Sequence, residues 1–229
     1  VASGALNSTY CSFYFTEPGQ YTVTYTVSGT CGLDVESQVI NVRGLPVVQL
    51  QYHAPACAPV LYPGNVGSPN IITNSSPITS YQWAISPGVQ GTDWQISSGT
   101  LTAANPSFQF LTAGDYTIAL TATNGCGSHT DETLFEVHSV PVLDLPDAVV
   151  CNPPNTNYQP NPVILSSGGI NITAYQWSVF PNSGFSFTTA SNILNPTINL
   201  SLPNTYQVTF SATNACGTGN TTANVISAT

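Results

Sequence analysis

Gly114-Asp-Tyr-Thr-Ile-Ala-Leu-Thr-Ala-Thr-Asn-Gly-Cys126-Gly127 is the stretch on which the fold turns, because the chain carries it three times. The other copies are Gly19-Gln-Tyr-Thr-Val-Thr-Tyr-Thr-Val-Ser-Gly-Thr-Cys31-Gly32 and Asn204-Thr-Tyr-Gln-Val-Thr-Phe-Ser-Ala-Thr-Asn-Ala-Cys216-Gly217. Tyr21 and Cys31, Tyr116 and Cys126, and Tyr206 and Cys216 are each ten residues apart. Tyr21, Val23, Tyr25 and Val27 alternate with Thr22, Thr24 and Thr26, the period of two that gives a strand one buried and one wet face. Cys-Gly then marks a turn, and a second alternating run follows each copy: Val35 to Val42, Thr130 to Val137, Thr221 to Ile226.

Working outward, Tyr81-Gln-Trp83-Ala-Ile matches Tyr175-Gln-Trp177-Ser-Val, 94 residues on, and Cys57 matches Cys151 at the same offset. Asn105-Pro-Ser-Phe-Gln-Phe matches Asn195-Pro-Thr-Ile-Asn-Leu. A repeating unit of this length means stacked copies of one domain. The expected division is 1–44 (the last strands, E, F and G, of one repeat), then complete repeats at 45–138 and 139–229.

Composition agrees with an all-β chain. Only 5% of residues are charged, Lys is absent, Arg43 is the single basic side chain, and there are 18 Gly and 18 Pro. Exposed helix faces depend on Lys, Glu, Arg and Gln, whereas Thr, Val, Ile and Tyr favour pleated strands and Gly, Pro and Asn favour turns. A net charge of −9 argues against nucleic acid or anionic lipid as partner, since both need clustered cations. No apolar run reaches the roughly 18 residues of a spanning helix, so no membrane insertion is expected. The opening residues have neither the basic end nor the apolar run of a signal peptide.

Repeats of about 90 residues built from short strands, with a Trp a third of the way along, fit tandem immunoglobulin-like β-sandwiches. Trp83 and Trp177 are expected to fill the two cores from strand C. Tyr21, Tyr116 and Tyr206 open strand F, where a tyrosine corner belongs. Antibody-type domains place a Cys two residues after that Tyr; here Val23, Ile118 and Val208 stand there, so that inter-sheet disulfide is missing.

The Tyr-x-Trp strand and the Gly-x-Tyr…Asn-x-Cys-Gly ending resemble PKD and PKD-like domains, in particular the repeats of large surface proteins of gliding bacteria exported by the type IX pathway. The Trp-x-Phe-Gly-Asp-Gly motif of standard PKD domains is replaced by Trp83-Ala-Ile-Ser-Pro-Gly and Trp177-Ser-Val-Phe-Pro-Asn. The resemblance implies a non-catalytic spacer, an adhesive module or an enzyme accessory on a secreted or cell-surface protein.

Six cysteines without a CxxC pair or zinc spacing suit disulfides in an oxidising compartment. Repeat register leaves two schemes. Intra-repeat pairing would join Cys57 to Cys126, Cys151 to Cys216 and Cys11 to Cys31; linker-spanning pairing would join Cys31 to Cys57 and Cys126 to Cys151. The first uses every thiol and is the expectation. Against it, a Cys before strand B and a Cys after strand F belong at opposite ends of a sandwich.

Chemistry is sparse. His53, His129 and His138 have no counterparts in the other repeats, and His129 with Asp131 and Glu132 reads as a wet strand start. No nucleophile elbow, phosphate loop or carboxylate pair is visible, so no catalytic residue, cofactor or metal is assigned. Asp144 and Asp147 near the second junction are the one conceivable calcium pair. Trp94 has no obvious match and is either core or a sugar-stacking face. Sequons at Asn7, Asn74, Asn171, Asn199 and Asn220 are expected by chance in so Asn/Ser/Thr-rich a chain. The reading is a non-enzymatic stalk or adhesin whose partners are neighbouring repeats and, at the surface, polysaccharide or other surface proteins. The alternatives are a carbohydrate-binding accessory module of a secreted hydrolase, or a filament subunit whose incomplete first repeat is completed by strand donation.

Overall fold

The computed structural model describes residues 10–64, 76–151 and 156–228, which leaves the sequons at Asn7 and Asn74 outside the described residues. Every regular element there is a strand. The first named elements of the described residues are a hairpin, β1 (Gly19–Gly29) and β2 (Gly32–Val42), paired antiparallel from Gly19↔Val42 to Gly29↔Gly32.

Two sandwiches follow in tandem. In the middle one, β3 (Ala56–Cys57), β9 (Gly127–His138), β8 (Gly114–Asn124) and β5 (Ile78–Ser86) form one sheet in that order. The other sheet is β4 (Val60–Pro63), β7 (Ser107–Phe110) and β6 (Trp94–Ser98). The last sandwich repeats the plan. Its four-stranded sheet is β11 (Ala148–Cys151), β18 (Gly217–Ala228), β17 (Asn204–Asn214) and β14 (Ala174–Phe180), and its second is β12 (Thr156–Tyr158), β16 (Ile198–Leu200) and β15 (Phe185–Phe187). A short pair, β10 (Val142–Asp144) with β13 (Val163–Ser166), is added at its start. In both, a short strand, β3 or β11, runs parallel to the last, Cys57 beside His138 and Cys151 beside Ala228.

The period-two pattern becomes two separate cores. Tyr116, Ile118, Leu120 and Ala122 on β8 are buried against Trp83, Phe108 and Phe110, and Tyr206, Val208, Phe210 and Ala212 on β17 lie with Trp177, Ile198 and Leu200 in the second. Both tryptophans also tie strand C to the loop before strand E. Trp83 Nε1 donates to Ala103 O at 3.0 Å, and Trp177 Nε1 to Ile193 O at 2.9 Å. The phenols of Tyr21, Tyr116 and Tyr206 each donate to the carbonyl four residues upstream, Glu17, Thr112 and Leu202, at 2.9–3.1 Å. That is the tyrosine-corner bond, present in all three copies.

Among the described residues, the named strands of the first copy are the two of the hairpin. Residues 11–16, in register with β7 and β16, belong to no named strand. Their sequence is strand-like, but β7 and β16 each lie between two neighbours, and the described residues of the first copy offer none. Phe15 instead packs on Tyr21, ring centroids 4.6 Å apart. Tyr25 and Val27, equivalents of buried Leu120 and Ala122, are about half exposed.

Candidate functional site at the junction between sandwiches

Strand F ends in Thr-Asn-Gly-Cys in the middle sandwich and Thr-Asn-Ala-Cys in the last. These asparagines, Asn124 and Asn214, are among the few buried polar side chains. Asn214 Oδ1 accepts from the Cys216 N–H at 2.8 Å, which shapes the turn. Its Nδ2 donates to Ser139 O at 2.7 Å and Ser167 O at 2.8 Å. Ser139 belongs to the linker leaving β9, so one amide grips both the turn and the incoming chain. Asn124 does the same one unit earlier, accepting from Cys126 N–H at 2.8 Å and donating to Gly44 O at 3.0 Å. A buried amide with three bonds is satisfied and directional, and removing it strands carbonyls at the joint.

Glycines let the linker come this close. Gly168 has φ +79°, its carbonyl accepts from Ser139 N–H at 2.9 Å, and a Cβ there would collide with Ser139 O. At Gly219 a Cβ would strike Pro141 O. Beside the linker, Cys57 and Cys216 are disulfide-bonded with Cα atoms 5.5 Å apart. The bond joins the lower end of the middle sandwich to the upper turn of the last.

This corrects the expected pairings. Cys57–Cys126 fails because Cys57 lies beside His138 at the end of β9, whereas Cys126 sits in the β8–β9 turn at the other end. Cys151–Cys216 fails alike, since Cys151 lies beside Ala228 and Cys216 in the β17–β18 turn. The linker-spanning alternatives Cys31–Cys57 and Cys126–Cys151 are not formed either. Cys11, Cys31, Cys126 and Cys151 are free and exposed, so the expected Cys11–Cys31 bond is absent as well.

A cleft of about 470 Å³ opens at the same junction, lined by Asp115, Glu136, His138, Ser166 and Gly169 among others. Asp115 and Glu136 face each other across the β8–β9 ladder. Their equivalents in the last sandwich are Thr205 and Ile226, so this acidic lining belongs to one joint only.

The remaining candidates take structural positions. His129 Nδ1 accepts from Val48 N–H at 3.3 Å and an Asp131 carboxylate oxygen from Leu50 N–H at 2.6 Å. They lie at the start of β9, where Glu132 is exposed as expected, and His129 and Asp131 in addition pin the segment that opens the middle sandwich. His53 packs on Tyr62 with ring centroids 4.5 Å apart. Asp147 accepts from Asn224 N–H at 2.6 Å, and among the described residues no three His, Cys, Asp or Glu side chains converge as a metal site. Burial pushes the Tyr62 phenol up to about 12. The Tyr158 phenol is raised by burial and by the Asp147 charge, and that of Tyr206 by burial, partly offset by its bond to Leu202.

Trp94 is buried, edge-on to Phe108, which removes it as a sugar-stacking face. It pairs with Phe110 as Phe185 pairs with Leu200, so its counterpart is Phe185. The junction asparagines were missed by sequence reasoning. Their signal was an Asn two residues before Cys126 and Cys216 that becomes Gly29 before Cys31.

No curated protein sequence matches the chain. Among solved structures it is similar to an I-band fragment of titin, with 16% identity, 93% of this chain and 75% of that one covered, and a TM-score of 0.41. It is likewise similar to extracellular cadherin domains 1–4 of a gamma protocadherin, with 15% identity, 92% and 57% coverage, and a TM-score of 0.45. By sequence, residues 69–137 match the model of the PKD-like domain family.

Proposed function

We propose that the chain is a non-catalytic spacer segment of a long secreted or cell-surface protein, divided at 1–44, 45–138 and 139–229, and working as a semi-rigid stalk or adhesin. The stitched junction carries this reading. A flexible linker needs no buried asparagine, collision-tight glycines or disulfide, whereas a joint that must hold its angle gains from each. Low charge, absence of Lys and a covalent staple suit persistence outside the cell. The resemblance to repeats of gliding-bacterium surface proteins supports the same setting, with neighbouring repeats as first partners and surface polysaccharide or surface proteins as further ones.

A second reading rests on the hairpin. The half-exposed Tyr25 and Val27 fit a sandwich completed by further strands, from upstream sequence or by donation from another molecule.

Small-angle scattering tests the stalk. Strands of 11–12 residues span about 37 Å, so three units in line make a rod near 110 Å with a radius of gyration of about 30 Å. A compact globule of this length would give about 17 Å. A value near the smaller figure would overturn the reading.

A further inference from the structure

We infer that the lower end of the last sandwich, with Cys151 at its edge, is a docking surface for the F–G turn of a further repeat of the same kind, sealed by a disulfide to that turn's cysteine. Both halves of the observed Cys57–Cys216 link recur elsewhere in the chain. Cys151 stands to Ala228 as Cys57 stands to His138, each ending a short strand parallel to strand G. The Cys126-Gly127 turn is shaped as the Cys216-Gly217 turn is, with the cysteine N–H bonded to the asparagine two residues before it at 2.8 Å. Cys57 captures the turn of the sandwich that follows it. By register, Cys151 is set to capture the turn of a unit placed after it, and Cys126 is the upper half-link of the middle sandwich.

Two further observations mark that end. Ser227, in register with Val137, is buried, and its hydroxyl has no hydrogen-bond partner among the described residues. Cys151 is exposed as a free thiol. The strand register also carries through to the end of β18, because Asn204 pairs with Ser227 as Gly114 pairs with Val137, which puts Ala228 where His138 stands one repeat earlier.

The bond forms by thiol–disulfide exchange. The Cys151 thiolate attacks a disulfide oxidant such as glutathione disulfide and expels one glutathione thiolate. The incoming turn's cysteine thiolate then displaces the second. Two thiol protons are released, and the two electrons end on two glutathione thiolates.

The proposal rests on the spacer reading, and one experiment separates their failures. A second copy of residues 140–229 is appended directly after Thr229, keeping the linker in register, and the protein is refolded in a glutathione redox buffer. Non-reducing peptide mapping is expected to show Cys57 linked to Cys216 and Cys151 linked to the F–G turn cysteine of the appended copy. Cys151→Ser should lose the second link and keep the first. Retention of Cys57–Cys216 with Cys151 still open to alkylation, or bonded to Cys126, overturns the docking surface alone. Loss of both links overturns the stitched spacer as well.

Discussion

Trp83 and Trp94 are both buried, yet they respond differently to shortening. Trp83 Nε1 has an acceptor in Ala103 O, whereas Trp94 Nε1 is buried without one among the described residues. A buried unmade bond costs about 1–3 kcal/mol, a penalty that Phe, the residue at the equivalent Phe185, would not carry. Trp94→Phe is therefore expected to leave stability within about 1 kcal/mol of wild type, since relief of the N–H offsets the small cavity. Trp83→Phe should cost about 2–3 kcal/mol by losing volume and stranding a carbonyl; urea unfolding of the two variants compares them. Tyr62 adds a pH signature. Its phenol is raised from 10.0 to about 12 in the fold, so the folded state holds its proton more tightly. The corresponding stability is whole below pH 10 and is lost as pH rises towards 12, at most about 2–3 kcal/mol. Tyr62→Phe should flatten the alkaline limb of the stability curve in that window; an unchanged limb would count against burial as its cause. Roles set by nearby chain were legible at this scale. The tyrosine corner reaches four residues back, and period-two burial follows from the strand itself. Asn214 was not legible, because Asn before a turn has a sufficient local explanation in turn chemistry, and its grip on Ser139 spans 75 residues.

Strand F and strand G pair in the same register in all three copies, and only the surroundings differ. In the middle sandwich the inward residues of β9 include Asp131, which holds Leu50 N–H. The hairpin places Glu36 opposite Tyr25 as Asp131 lies opposite Leu120. Glu36 is thus in position to hold an opening segment, but in the described residues none is seated there. A two-stranded hairpin with one apolar face uncovered is marginal by itself. Backbone amides of β1 and β2 should therefore exchange with deuterium orders of magnitude faster than those of β8 and β9, although their hydrogen-bond ladders match. Equal protection would show that the face is covered in solution. The sequence reading expected strand E here as well, within residues 1–44. Alternation reports which face a strand would bury, and the missing neighbours decide whether the strand forms.

At the scale of the whole molecule, the cysteine pairing was the least legible feature, for a geometric reason. Repeat register shows which cysteines are equivalent, and it cannot show which ends of successive units meet until the direction of stacking is known. End-to-end stacking brings the lower edge of one unit to the upper turn of the next, and Cys57–Cys216 follows. This bond closes a loop across 159 residues, for which the chain-entropy model gives about 5 kcal/mol. Because the loop includes most of both sandwiches, neither can unfold fully without dragging on the other through the bond. Oxidised protein should melt in one coupled transition for the two sandwiches. Cys57→Ser should lower the first melting transition by about 10 °C or more and separate the two, leaving the Asn214 clamp as the main tie. Differential scanning calorimetry of the two proteins reads this directly. If Cys57→Ser melted like the wild type, the two sandwiches would be independent beads, and the disulfide a bystander to the stiffness of the joint.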